Sequence, residues 1–582
     1  MPKTNLESPY DGSTRISLSA SVATASVVKR RPRWAREHLK LFFPAQKLII
    51  REIQILLLLL IAIAAVGVVA KRSNIPPAIL LVLTGVVLAL VPGLPAVRLA
   101  PELVLLLVLP PLIYSSAVAM SWREFRFNLR PISLLAIGCV VFTTVAAAAA
   151  THWLLGLSWP VGFVLGAIVS PPDAVAPLAI ARRMQLPKRI LVILEGEGLA
   201  NDATALILYR FAVVAVSAGA FSFGRAAAEF AVIIAGELLW GIAVGWLMLR
   251  LRRWVADAQV EIVLSILTPY VAYWPPQHLG GSGVLAAVVA GLYVSWNGFS
   301  MISAATRLQG IFFWDVLVYL IEGMVFLMTG LQARTSIMAL GTYSLSVLAG
   351  SAAVVSAVVI LARFVWIFPA TYLPRWLIPV IARKDPSPPW QWPFVLGFTG
   401  VRGIVSLAAA LAIPFTMDNG RPFPDRDLIL FLTFSVILVT LVGQGLMLPA
   451  VIRGLGLANA GERELQTERT EELLARRHAI EAAIERLDRL ATERGLPDHV
   501  VRRVRTGHQE RLRHFERAPE REENRQDLTA PPDEIELLLI AAERERINEL
   551  YRQGTLKDAA RRRLERELDL REANLASHRH EE

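Results

Sequence analysis

Four acids and two arginines of this chain stand in apolar surroundings where a charge needs a reason. The stretch 195–212, EGEGLANDATALILYRFA, carries Glu197, Asn201 and Asp202. Asp173 lies in GAIVSPPDAVAPLAIA, Glu322 in YLIEGMVFLMTGLQ, Arg363 in ILARFVWIF and Arg402 in VLGFTGVRGIVSLAAALAIP. A charge at the centre of a bilayer helix costs roughly 2.5–3.5 kcal/mol on insertion scales, so such residues face a cavity or a partner. On a helix Glu197 and Asn201 are four apart and share a face, while Asp202 stacks over Gly198, which has no side chain. Asp202 therefore has space beside it that Glu197 does not share, and the two acids are expected to do different work. A carboxylate beside an amide, a hydroxyl and free carbonyls is a hard-oxygen site. It suits an alkali cation or a proton, and a single carboxylate holds one or the other, which is the logic of proton-coupled cation exchange. Asp173, directly after a proline pair, also reads as a helix start. Glu322 and Arg363 are read as a second ion pair or as cavity lining.

The elements that must carry these residues are membrane helices. The 582 residues are 54% hydrophobic and 19% charged, with mean hydropathy +0.48, and apolar windows long enough to cross a bilayer recur along the chain. The reading is an all-α polytopic membrane protein of about thirteen spans, near 53–70, 75–92, 101–120, 131–156, 160–181, 190–218, 227–250, 259–274, 282–296, 311–332, 341–372, 391–415 and 427–453. Pro171-Pro172 break the fifth of these before Asp173, and Gly397, Gly400 and Gly403 loosen the twelfth around Arg402. Broken helices at corresponding positions of two halves mark an ion site near the midplane, here on the reading that spans one to six repeat as eight to thirteen, inverted. Unwound backbone at that depth is tolerated only against a cavity. HExxH, GxSxG and P-loop patterns are absent, so no enzyme and no cofactor are expected. The single cysteine, Cys139, excludes an intramolecular disulfide and a cysteine-built metal site.

The net charge of +11 does not point to nucleic acid, because the basic residues cluster at the ends of apolar runs. Loops after odd-numbered spans hold sixteen lysines and arginines and loops after even-numbered spans hold five, which puts the first set and the C-terminal tail in the cytoplasm of a cell-membrane protein. The segment 29–51, with eight basic residues, runs against that orientation unless it lies along a membrane surface or an N-terminal element is misread. Three domains are expected: a basic polar tail over 1–50, a transmembrane domain over 51–455, and a helical, regulatory cytoplasmic tail over 456–582. In the last, Gly495-Leu-Pro and Pro531-Pro532 read as helix breaks. Six of the nine histidines sit there, His478, His499, His508, His514, His578 and His580. They are read as solvated surface residues ahead of a pH sensor.

Taken together these stretches resemble the monovalent cation:proton antiporter-1 family, the sodium/proton exchangers of bacterial type. EGEGLANDATALILY is similar to that family's ESLLNDA…LY helix, SPPDAVAP to its TDPVAV segment, and GFTGVRGIVSLAAALAIP to its GGLRGAISLALA span. GSGVLAAVVAGLYV, VFLMTGLQ and the tail stretch INELYRQGTLKDAARRRLERELDLREA also fit. The resemblance implies a homodimeric antiporter exchanging Na+ (or Li+ or K+) for H+ by alternating access. Asp202 would bind cation and proton in turn, Asn201 would hydrogen-bond across to Asp173, and Glu197 would pair with Arg402. Asn before Asp is the pattern of the electroneutral exchangers. Two departures bear on cation choice: the family's Ser is Gly198 here and its Thr is Pro172, with Ser170, a backbone carbonyl or water as replacements. The other readings are a K+/H+ exchanger or cation channel of the same architecture, and a membrane receptor whose tail signals.

Overall fold

The computed structural model describes residues 54–553 apart from 74, 93–100, 219–222, 256, 299–300, 303, 335–343, 418–419 and 517–531, together with 564, 567–568 and 570–572. The basic segment 29–51 and two of the tail histidines, His578 and His580, lie outside the described residues.

Every described element is helical, apart from an isolated bridge between Thr416 and Pro422. In chain order they are α1 (Gln54–Ser73), α2 (Pro77–Leu90), α3 (Pro101–Ala119), α4 (Leu129–Leu155), α5 (Trp159–Val169), α6 (Val175–Arg183) and α7 (Lys188–Ala218). There follow α8 (Phe223–Val255), α9 (Ala258–His278), α10 (Val284–Asn297), α11 (Ala304–Leu331), α12 (Leu345–Leu377), α13 (Gln391–Phe398), α14 (Ile404–Leu411) and α15 (Arg426–Gly454). Eight of these are long and apolar enough to cross a membrane, and α2, α5 and α10 are shorter apolar helices. The helices follow the expected spans, with the fifth divided into α5 and α6 and the twelfth into α13 and α14. By length and composition, eight of the described helices qualify to cross a membrane, against the thirteen spans expected.

Helices are the outcome because a chain in hydrocarbon must satisfy its own N–H and C=O groups. Where proline removes an N–H the pattern shifts: Pro110 and Pro111 in α3 follow a π-turn over Val104–Val108, in which the Leu109 N–H reaches back to Val104 O. Helices α2 and α11 meet backbone to backbone, for a Cβ on Gly85 would stand 2.3 Å from Leu327 O and one on Gly330 2.2 Å from Val82 O. Small residues at such a crossing allow close van der Waals packing, the main force between helices in lipid. One buried core ties α3, α4, α5, α7, α10 and α15 together through residues such as Ile113, Val164, Leu206, Val288 and Leu432. A second joins α1, α2, α11 and α14 around Ile63, Ile79, Phe326 and Leu407. Large side chains such as Trp153, Leu308 and Phe312 point outward and more than 70% exposed, as they should on a lipid-facing surface.

Residues 463–582 form a second compact unit. Its described helices are α16 (Glu462–Arg494, the first residue belonging to the membrane unit), α17 (Asp498–Glu516) and α18 (Pro532–Arg552). Gly495 takes φ +60°, and the Leu496 N–H bonds back to Ala491 O, so the expected Gly-Leu-Pro break is a glycine helix stop.

Candidate ion-binding site

The two broken helices cross at their breaks, which brings four half-helix ends to one place. The α5 end leaves orphan carbonyls at Val169, Ser170 and Pro172, and the α13 end leaves them at Leu396 and Gly400. Arg402, only 1% exposed, answers both ends. Its Nε donates to Val169 O (2.9 Å), Nη2 to Ser170 O (3.3 Å) and Nη1 to Gly400 O. Its own N–H is held by the Thr440 hydroxyl on α15 at 2.9 Å. Asn201 supplies the missing donor for Pro172 O, Nδ2 to O at 2.6 Å.

Asp173 does the complementary work at the two N-terminal ends. Its carboxylate accepts from the Val175 N–H of α6 at 2.9 Å and from the Ile404 backbone of α14, and its own N–H donates to Val401 O at 2.6 Å. A helix end carries about half an elementary charge, positive at the N-terminus and negative at the C-terminus. An acid therefore sits on the two positive ends and an arginine on the two negative ones. Gly403 makes the crossing possible: a Cβ there would stand 1.7 Å from Asp173 Oδ2.

Two expected contacts are corrected by this arrangement. Glu197 pairs with Arg363 of α12 and not with Arg402: Nη1 to Oε1 is 2.5 Å, Nη2 to Oε2 is 2.7 Å, and both side chains are at most 2% exposed. Arg363 also donates from Nε to Leu396 O at 3.0 Å. The reason is local. Arg402 stands in non-helical backbone among orphan carbonyls and spends its donors on them, whereas Arg363 sits on a continuous helix and is free to take a carboxylate. Arg363 is thereby also withdrawn from Glu322. The second contact is that of Asn201, which reaches the Pro172 carbonyl in place of the Asp173 side chain; its Oδ1 is buried without a donor.

A cavity of ≈ 860 Å³ runs to this crossing. Asp173, Asp202 and Glu322 line it, and so do Arg182, Arg252 and Arg307, which stand near the ends of α6, α8 and α11. Beyond Asp202 along α7, Ala203 and Leu206 belong to the same buried apolar core as Val164 and Leu165 of α5. Neither Asp202 nor Glu322 receives a hydrogen bond or an ion pair from the described residues, whereas Asp173, Glu197 and Arg402 are all committed. Ser170 does not line the cavity, and its hydroxyl donates to Ala167 O at 3.2 Å. Gly198 and Asp202 both line the cavity, and Gly198 is also approached by Ala174, whose Cβ would stand 2.8 Å from a Cβ placed there. Ser406 of α14 was not singled out from sequence. Its hydroxyl is buried, lacks a partner and belongs to a residue on the cavity wall. The available signal was its place three residues after Gly403, on the first turn of the half-helix that Asp173 caps.

The transmembrane pattern of the sodium/hydrogen exchangers matches residues 55–454. An uncharacterized Na+/H+ exchanger of Mycobacterium tuberculosis is 36% identical over 534 residues, covering 90% of this chain and 96% of its own. The sodium, potassium, lithium and rubidium/H+ antiporter of Bacillus subtilis is 33% identical over 415 residues, 68% of this chain and 61% of the relative. Among solved structures, the sodium proton antiporter MjNhaP1 of Methanocaldococcus jannaschii at pH 8 superposes with a TM-score of 0.57 at 19% identity, covering 70% of this chain and 99% of that one. That last likeness is one of fold.

Proposed function

The chain belongs to the sodium/hydrogen exchanger family, and from that premise we propose that Asp202 is the residue at which cation and proton take turns. The protein is a multi-pass membrane antiporter, a transporter that exchanges alkali cations for protons. One observation carries the assignment within it: Asp202 is the cavity-lining acid of α7 that has no hydrogen-bond or ion-pair partner among the described residues. Glu197 is neutralised by Arg363 and Asp173 by two helix ends, so neither has to release its partner for an ion to bind. An unpartnered carboxylate in a low-dielectric site needs one positive charge. A proton or a monovalent cation each supplies it, and either excludes the other.

The cation reading is Na+, with Li+ and K+ as competitors at the same site. Hydroxyls are scarce around Asp202, because Gly198 and Pro172 have none and Ser170 turns away. Ser406 and backbone carbonyls remain as oxygen donors. So small a donor set replaces the hydration shell of a small ion incompletely, which supports broad selectivity, in keeping with the four cations in the name of the Bacillus relative. The basic ends of the odd-numbered loops support a cytoplasmic tail in the cell membrane, and the cavity then opens inward. The proposal includes a homodimer, on the strength of the family resemblance.

With one titrating acid the exchange is one for one and electroneutral. Glu322 favours a second reading, since it too lines the cavity without a partner among the described residues; were it to carry a proton as well, two protons would move per cation. The test is proton flux in proteoliposomes on adding Na+, Li+ or K+, with the membrane potential clamped at different values. Flux independent of potential supports one-for-one exchange at Asp202. Flux that rises with potential shifts the assignment to the Asp202–Glu322 pair, and flux with no cation dependence overturns the reading.

A further inference from the structure

A second cavity, of ≈ 530 Å³, lies between the α3–α4 connection, the end of α10 and the short helix Pro379–Lys384. It shares no lining residue with the acid-lined one. Its charge is of the wrong sign for a cation path. Arg123, Arg126, Arg130 and Lys384 line it against a single acid, Asp385. That acid is already claimed three times over, by Arg130 (2.5 Å), Arg189 (2.8 Å) and Arg375 (2.8 Å). The other nearby acid, Glu124, takes Lys188 at 2.7 Å. Arg123, Arg126 and Lys384 thus have no ion-pair partner among the described residues.

The remaining wall is apolar and faces outward. Phe127 is 70% exposed, Val380 61% and Trp296 58%. Aromatic side chains at the end of a membrane helix sit at headgroup depth, and basic pockets between helices at that depth attract anionic headgroups. Guanidinium groups match phosphate oxygens in pairs of parallel hydrogen bonds. We infer that this cavity binds the phosphate of an anionic glycerophospholipid, with Arg123, Arg126 and Lys384 on the headgroup and the acyl chains along Phe127 and Val380. A soluble phosphate would meet the same cations, but it would leave the exposed apolar wall without a role. The site joins the start of α4 and the short helix that follows α12 to the end of α10, so lipid bound there bears on the stability of the bundle as a whole.

The experiment uses the full-length protein in a neutral detergent, with thermal unfolding as the readout. Phosphatidylglycerol is expected to raise the unfolding midpoint, and phosphatidylcholine and inorganic phosphate to leave it unchanged. Arg126→Gln combined with Lys384→Gln is expected to melt as the wild type does without lipid and to lose most of the phosphatidylglycerol shift. Native mass spectrometry of the same samples should retain a phosphatidylglycerol on the wild type and lose it on the double variant. An equal shift from phosphatidylcholine would make the effect one of acyl chains alone, and an equal shift from inorganic phosphate would make the ligand soluble. Either result, or an undiminished shift in the double variant, overturns the inference. Cation-triggered proton flux is measured separately, so the lipid site and the antiport reading can fail independently.

Discussion

Arg363 and Arg402 are equally buried, at 1% exposure, and stand in equally apolar sequence, yet they answer different demands. Arg402 neutralises backbone and Arg363 neutralises a side chain. Removing one partner of a buried ion pair leaves an uncompensated charge, which costs about 3–5 kcal/mol, while replacing both with apolar residues of similar volume costs far less. Arg363→Met is therefore expected to destabilise the membrane unit by about that amount, and the double change Arg363→Met with Glu197→Met to recover most of it. Unfolding in detergent reads both. A double variant no better than the single one would mean that Arg363 acts mainly through the Leu396 carbonyl. The presence of a charged pair around Glu197 was legible in the sequence, because an acid on an apolar helix needs a cation. Which cation was not legible, because that depends on the orphan carbonyls at a helix break, and those exist only once α5 and α13 have stopped.

At the scale of elements, the proline pair and the glycine spacing were enough to locate both breaks, since each acts on its own backbone. The way the halves cross was hidden, for it rests on contacts between residues some 230 apart in sequence, such as Arg402 Nε to Val169 O. Gly403→Ala tests the crossing directly. A methyl group there would collide with Asp173 Oδ2, at 1.7 Å, so flux should be lost. Gly443→Ala, where nothing lies within 4 Å of a Cβ, should be near neutral. Normal flux in Gly403→Ala would mean that the halves do not approach as described. A second joint lies at Asp385, which holds α4, α7 and α12 through Arg130, Arg189 and Arg375. Burial pushes its carboxyl up, but the hydrogen bonds and charges of Arg189 and Arg375 outweigh this and hold it below its ordinary value of 3.8. A carboxyl depressed on folding adds stability above the unfolded value, and that stability fades as pH falls through the folded one. Asp385→Asn should then lower the unfolding midpoint at neutral pH, with the gap to wild type closing progressively below pH 3.8. A gap that stays constant down to strong acid would remove the ionic part of this joint.

Over the whole molecule, the acids and arginines at the helix crossing hold one another or helix ends, while Asp202 and Glu322 in the cavity have no partner among the described residues. Glu197 with Arg363, Asp173 with two helix N-termini and Arg402 with two C-termini satisfy the charges at the helix crossing without any ion from outside. The cavity that Asp202 lines also carries Arg182, Arg252 and Arg307 on its wall, and Ala203 and Leu206, just beyond Asp202 on α7, lie in the apolar core. Exchange by alternating access requires that this site open to the two sides of the membrane in turn. The length and hydropathy of the chain were enough to call for a membrane bundle. They could not supply the cavity, whose walls come from α3, α6, α7, α11 and α14 at once.

The claim that Asp202 holds a proton or a cation, never both, is tested most directly by proton release. Na+ is added to the detergent-solubilised protein in weak buffer, and the protons set free are counted with a pH indicator beside the Asp202→Asn variant. One proton is expected to leave for each cation bound by the wild type, and neither release nor binding is expected in Asp202→Asn. Release that persists in Asp202→Asn, or cation binding to the wild type with no proton set free, would contradict it.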